Sequence, residues 1–455
     1  MKTKNVSLTE GSIWKNLTLF AIPILLGQVF QQLYNTADAW IVGHFRSNSE
    51  YAAVTSTGSL VFLLIGFFSG IAVGAGVVIA RYYGAKDEKK LDSAIHTTIA
   101  FGLICGVVLS VVGVLLTPKL LQLMKTDTSY FQYSVEYFRY YFLGALSIVM
   151  YNLGMGVLRA VGDSKSPLYY LIISSLVNIG LDYLFVGVFD WGVWSAALAT
   201  SISQLLSAIL CVIRLAKGGE GFQFQFRRLR IEGPMLKEII RYGLPSGIQN
   251  SIIAFANVVV QSNINTFHED TVAGCGTYSK LEGFAFLPIT CYTMALTTFV
   301  SQNLGAGQHD RAKKGSVFGI FSCVIIAELI GVALLIFARP LLAFFTNNEA
   351  AIEVGIRQIR VEALFYCVLA FSHCIAAIMR GAGKPMIPMF VMLGAWCVLR
   401  VAYISIVVPI VGKSWVIFSA YPLTWTCSSI VFLIFYLKSD WIHGFDKKAA
   451  LPHKR

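Results

Sequence analysis

The chain is 455 residues long, with 56% apolar and 13% charged residues. At a mean hydropathy of +0.67, that leaves too little polar surface for a soluble particle of 50.0 kDa. A net charge of +12 does not argue for a nucleic-acid partner, because the basic residues gather in alternate loops between apolar runs. The composition excludes a soluble enzyme or binding module and sets an all-α, polytopic membrane protein as the fold class.

Apolar runs of about 20 residues predict spans over 16–43, 53–80, 94–117, 130–158, 167–190, 192–216, 236–265, 272–301, 315–338, 353–379, 386–411 and 414–437. Met1 to Lys15 is polar and the first run is long enough to span, so no cleavable signal peptide is expected. The N-terminal tail, every second loop and the C-terminal tail together hold 26 Lys and Arg, whereas the other loops hold only Arg46, Lys119, Lys125, Arg339 and Lys413. Both termini are therefore expected to be cytoplasmic.

The first span carries Gln28, Gln31, Gln32, Asn35 and Asp38 at steps of three and four. They form one stripe that should face water or substrate, not lipid. Asp38 lies six residues before His44, roughly 9 Å from the outer end of the helix at 1.5 Å per residue. In the fifth span Asn178 and Asp182 share a face, with Asp182 roughly 12 Å in from Asp190. Tyr137 and Thr200, on spans that enter from outside, fall at roughly 12–14 Å. Two acids, an amide, a phenol and a hydroxyl thus meet at one level in the first half of the chain. Desolvation and mutual repulsion favour a proton shared between the acids, and sodium suits the same oxygens.

Residues 217–235 follow the sixth span. Gly218, Gly219 and Gly221, then Arg227, Arg228 and Arg230, read as a flexible cytoplasmic linker between lobes at 1–216 and 236–455. The second lobe repeats the first. Pro23 recurs as Pro245, Asn35 as Asn257 and Pro118 as Pro340, each 222 residues on. Gly84-Ala85, Arg159, Gly162 and Pro167 recur 221 residues on. A repeat of six spans enters the membrane from the same side twice, which makes the copies parallel. Asp38 corresponds to Val260 and Asp182 to Tyr403, so the acid pair belongs to one copy only. A structural role common to both copies does not account for that asymmetry.

Within the second copy Asn257, Gln261 and Glu282 are the candidate cavity residues. Lys280 beside Glu282 offers a local pairing instead. Arg400 and Glu328 are also intramembrane charges, explained equally by an inter-helix pair or by snorkelling. His373 reads as a hydrogen-bonded packing residue. Nine cysteines lie singly, with no zinc or redox spacing, and no hydrolase or metalloprotease motif appears. Neither catalysis nor a cofactor is expected.

The segments LTEGSIWKNLTLFAIPILLGQVFQQLYNTADAWIVGHF (8–45), RYYGA (81–85), LRAVGDSKSP (158–167), NIGLD (178–182) and SQNLGAG (301–307) together resemble the bacterial multidrug and toxic compound extrusion (MATE) transporters. Asp38 with Asn178-x-x-x-Asp182 is similar to the DinF-type branch. The resemblance implies a V-shaped fold of two six-helix lobes and proton- or sodium-coupled export of organic compounds. It also implies that Asp38, Tyr137, Asn178, Asp182 and Thr200 form the cation site, with sodium at Asp38, Asn178 and Asp182 if sodium is the ion. The NorM-type branch has a helix-7 acid where this chain reads Ile252-Ile253-Ala254, which argues against a sodium site of that kind. A lipid-linked oligosaccharide flippase of the wider superfamily is the alternative, but it calls for a cationic cavity. A passive channel is a second alternative and needs no exchange ion. The expected partners are small organic substrates and the bilayer, with no nucleic acid, and the chain is expected to act as a monomer.

Overall fold

The computed structural model describes residues 7–445 except Lys125 and Glu220, with only the backbone of Asn48 and of 55–64. Lys2, Lys4, Lys125 and the basic tail beyond Phe445, all counted in the charge asymmetry, lie outside the described residues.

No strand occurs among the described residues. The helices of the first half are α1 Ile13–Phe45, α2 Asn48–Gly84, α3 Glu88–Leu123, α4 Phe131–Leu143, α5 Ala145–Ala160, α6 Lys165–Asp182 and α7 Trp194–Lys217. Those of the second are α8 Gly233–Ile264, α9 Glu269–Ala285, α10 Leu287–Gly305, α11 His309–Ile336, α12 Ala338–Ala343, α13 Glu349–Glu362, α14 Tyr366–Gly381, α15 Met386–Met392, α16 Arg400–Val411 and α17 Trp415–Lys438. π-Helical turns at Tyr183–Val188 and Leu393–Leu399 continue α6 and join α15 to α16. Eleven helical stretches among the described residues are long and apolar enough to cross a membrane, and the bent pair α4 and α5 makes twelve. The all-helical, twelve-span expectation is therefore borne out.

The duplication is visible in the element bounds. A displacement of 221 residues carries Asn48–Gly84 onto Glu269–Gly305, Ala145–Ala160 onto Tyr366–Gly381 and Trp194–Lys217 onto Trp415–Lys438. Helix ends repeat as well. The left-handed positions Lys86, Gly162 and Asp190 recur as Gly307, Gly383 and Gly412. Such a conformation is nearly free for glycine and costs a side chain more.

Two compact units result. Unit 1 contains Leu26–Gly247, and unit 2 contains Ser7–Leu25 and the chain from Ile248. The switch inside α1 falls two residues after Pro23, and that inside α8 two residues after Pro245. Proline lacks the N–H that would bond back along the helix, so both switches coincide with a locally weakened backbone.

In unit 1, α5 packs against α2, α3 and α7. Lipid tails provide no hydrophobic drive between helices, so close packing must hold them. Gly102 and Gly106 of α3 accept Leu153 and Leu146 of α5, and a Cβ at either glycine would overlap them. Gly70 and Gly74 of α2 meet the backbone of Gly247 and Gly243 of α8 so closely that neither has room for a Cβ. The bend of 46° between α4 and α5 lies at Gly144, which packs on the Ser201 side chain of α7. On the outside, α3 exposes Ile104, Val108, Val111 and Leu115, a surface that suits hydrocarbon and not water.

The segment after α7 is not a free strap. Phe222 and Phe224 are buried, and Phe224 stacks on His96 of α3 at 5.0 Å. The Gln225 N–H donates to His96 Nε2 at 3.1 Å. Ser93 Oγ donates to Glu232 at 2.5 Å, and the Glu232 N–H donates to Thr97 Oγ1 at 3.3 Å. The Ser93 hydrogen bond, assisted by Arg230, holds the Glu232 carboxyl below its usual range. Glycine-rich composition pointed to flexibility, but the two phenylalanines supply the apolar contact that docks the linker on unit 1.

Candidate functional site

Unit 1 gathers the predicted polar residues onto four helices. Asp38 is half-buried on α1. Asp182 on the last turn of α6 has 0% exposure and Asn178, one turn earlier, 1%. Asp182 lies beside both Asp38 and Asn178. Tyr137 of α4 is buried in the field of both carboxylates. Around them pack Ile41, Val42, Phe138, Tyr141 and Val186, an apolar wall. The chain leaves Asp182 directly into the π-helical turn Tyr183–Val188, and Arg46 closes this end of the cluster by bonding Val186 O at 3.0 Å and Asp190 at 3.0 Å. Such π turns are frequent at functional sites.

The cluster is under-satisfied in a particular way. Asp38 Oδ1, both carboxylate oxygens of Asp182, and both polar atoms of the Asn178 amide are buried with no hydrogen-bond partner among the described residues. Buried polar atoms normally have partners, because an unmet one costs about 1–3 kcal/mol. Five such atoms at one place, four of them oxygens, form a donor set suited to a proton or a hard cation.

Other predicted residues take less central positions. Gln31 lies beside the Tyr34 hydroxyl, while Gln28 is half-buried and Asn35 exposed on α1. Thr200 is half-buried on α7, one turn before Gln204. Asn257 and Gln261 are exposed on α8, where Gln261 bonds Asn265 at 2.8 Å. Val260, in the place of Asp38, is core, and Tyr403, in the place of Asp182, bonds Ser419 at 3.1 Å.

The sequence reading missed Tyr34, Tyr141 and Gln204. Tyr34 is buried between Gln204, whose amide donates to it at 3.4 Å, and the two acids. Each lies four residues from a residue that was singled out: Asp38, Tyr137 and Thr200. The i,i+4 rule that found the stripe on α1 was enough to find all three.

Unit 2 holds a second buried network, of which only Glu282 was named as a cavity residue. Glu362, at the end of α13, has 0% exposure. Its carboxylate accepts from Tyr278 OH at 2.9 Å and from Gln358 Nε2 at 2.9 Å. Tyr278 OH also meets Tyr366 OH at 3.0 Å and Glu282 Oε1 at 3.4 Å. Arg400, buried at the end of the second π turn, sits 4.3 Å from the Tyr421 ring and 5.0 Å from that of Trp396, and donates to Thr424 Oγ1 at 2.8 Å. His373 packs edge-on to Trp396. Glu328 lies beside Cys367, apart from the network. The missed signal was plain: Glu362 is an acid ten residues into a predicted span.

A duplicated, all-helical protein with ionisable groups buried in its spans defines the class, a polytopic membrane transporter. Comparison with known proteins narrows it. The MatE family model matches residues 23–184 and 245–406, once in each copy, and the chain belongs to that family. A probable multidrug resistance protein, YoeA of Bacillus subtilis (strain 168), is 29% identical over 387 residues, 84% of each chain. The probable multidrug resistance protein NorM of Thermotoga maritima is 24% identical over 457 residues, covering 97% of this chain and 95% of its own. An outward-facing structure of a multidrug resistance MATE family transporter of the MOP superfamily shares the fold, with a TM-score of 0.90 at 24% identity over 98% of this chain and 100% of that one.

Proposed function

We propose that the protein exports small organic compounds, cationic ones foremost, by alternating access, and that it draws its energy from a proton or sodium ion taken up at Asp38, Asn178 and Asp182. The observation that carries this reading is the set of unpartnered buried atoms on those three residues, present in unit 1 and replaced by Val260 and Tyr403 in unit 2. Uptake of one cation would remove one of the two neighbouring negative charges and let α1 and α6 draw together, and ion loss would restore their repulsion. Tyr34 and Tyr137 lie in the field of both acids, with Gln204 donating to the Tyr34 hydroxyl; Gln28, Gln31 and Asn35 offer substrate contacts in unit 1, and Asn257, Gln261 and Glu282 offer them in unit 2. The names of the relatives support multidrug export as the physiological role.

The charge asymmetry of the loops supports cytoplasmic termini and linker. In a chain cleared of its native cysteines, a cysteine at Glu269 should react with an impermeant reagent added outside cells and one at Arg227 should not. The coupling test is transport in vesicles with proton and sodium gradients imposed separately. Export driven by either gradient supports the reading, and identical export with both collapsed rules it out.

A further inference from the structure

Glu362 has no part in the coupling scheme above, yet it is the most thoroughly enclosed acid of unit 2. A phenol has one hydrogen, so Tyr278 OH donates at any instant to Glu362 Oε2 or to Glu282 Oε1, and its own oxygen accepts from Tyr366. The hydroxyl therefore bridges two carboxylates, one fully enclosed and one half-buried.

Charge counting requires a proton here. The groups facing the pair are Tyr278 and Cys275 of α9, Gln358 of α13, Tyr366 of α14, Arg400 of α16 and Tyr421 of α17. Arg400 is the cation among them, and its guanidinium is engaged with Thr424 and two rings, making no direct ion pair among the described residues. One fully enclosed and one half-buried carboxylate against one offset guanidinium leave one negative charge uncompensated, a costly arrangement for the enclosed Glu362 unless one carboxyl is neutral. Independently, Gln358 directs its amide into Glu362 while its own Oε1 is buried without a partner. The repeat adds a further point. The displacement that carries α5 onto α14 places Gln358 and Glu362 on Tyr137 and Tyr141, so both units put polar groups of their clusters at the same two positions.

We propose that Glu282, Tyr278 and Glu362 form a proton relay ending in a second proton-binding site of the transport cycle. This rests on the reading of the protein as an ion-coupled exporter. A proton arrives at Glu282. The new Glu282 O–H donates to the Tyr278 oxygen as the Tyr278 O–H passes its hydrogen to Glu362 Oε2. Glu282 is left ionised, Tyr278 intact and Glu362 protonated, with one O–H bond broken for each one formed and no change of net charge. The reverse sequence empties the site.

Infrared spectroscopy of the protein reconstituted in bilayers tests this through the carbonyl stretch of protonated carboxyl groups after a pH jump. Glu362→Gln should remove one titrating band and leave the band that Asp182→Asn removes. Tyr278→Phe should keep the Glu362 band but slow its appearance about 100-fold, the scale of a lost proton-transfer group. In transport, Glu362→Gln should halve the protons moved per substrate. A Glu362→Gln spectrum identical to wild type, or a Tyr278→Phe response as fast as wild type, overturns the proposal. If Glu362→Gln does not fold, Glu282→Gln and Tyr278→Phe carry the same test, because both interrupt the same transfer. Wild-type export indifferent to both ion gradients would sink the coupling reading instead, and the infrared bands would still decide whether Glu362 takes a proton.

Discussion

Asp182→Asn separates ion coupling from folding. Asp182 is fully enclosed, both its oxygens lack partners, and its neighbour Asp38 has an unpartnered Oδ1. The amide keeps the volume of the carboxyl and brings an N–H donor within reach of that oxygen. A hydrogen bond gained there contributes about 0.5–1.5 kcal/mol, so the variant should be as stable as wild type or more so. Its loss is functional, because an amide takes up no proton and balances no sodium charge. One charge moved down 100 mV supplies about 2.3 kcal/mol, equivalent to about a 40-fold gradient at 1.4 kcal/mol per decade. In vesicles with an imposed potential, steady-state accumulation of an uncharged substrate should fall by about that factor, while the thermal midpoint holds or rises. Wild-type accumulation by Asp182→Asn under the same gradient would refute the reasoning, as would a loss of activity that tracks a lowered midpoint.

Three further outcomes follow from particular contacts. Asn35→Ala removes an exposed amide from the stripe on α1 and should change which compounds are exported, with proton coupling unchanged, whereas equal loss across dissimilar compounds would mark Asn35 as packing. Gly74→Leu forces a side chain into the backbone of Gly243 and should destabilise the fold by at least about 1–3 kcal/mol, read as a lowered midpoint. Glu232, whose carboxyl is held below its usual range by Ser93, contributes to linker docking above the pKa it has when undocked, and that contribution fades as pH falls through its depressed native value. Hydrogen exchange at Gln225 and Glu232 should therefore quicken on acidification in wild type, and Ser93→Ala should abolish most of that pH dependence.

The helices and their order were legible because span length and hydropathy are local properties. The predicted 192–216 and 414–437 differ by one or two residues from Trp194–Lys217 and Trp415–Lys438. The acid cluster of unit 1 was legible because helical periodicity and depth translate directly into position. The bend at Gly144 was not, since it depends on Ser201 of another helix, and neither was the docking of Phe224 on His96, more than 120 residues away in sequence. Glu362 escaped for a different reason. It stands inside a predicted span just as Glu282 and Glu328 do, but its partner Tyr278 is 84 residues away in sequence on another helix, and unit 2 places this acid on the helix that corresponds to α4.

That difference bears on what the charged groups are for. Features fixed by packing have stayed in register through the duplication: the helix ends, the left-handed positions at 86 and 307, 162 and 383, and 190 and 412, and the prolines beside the switch between units. Polar groups that served only to hold helices together would be under the same constraint, because their partners are repeated too. Instead Asp38 and Asp182 face Val260 and Tyr403 in the other copy, and Glu362 and Arg400 face Tyr141 and Ile179. A scaffold that repeats while its buried charges do not sets those charges apart from the packing that both halves share. An exchange test follows. Restoring an acid at Val260, a 3% exposed core position with an apolar wall, should cost stability without creating ion coupling, because the neighbouring carboxylate and amide of unit 1 are not there to share the proton. Proton-coupled export recovered by Val260→Asp in an Asp38→Asn background would show the two halves to be interchangeable and the argument wrong.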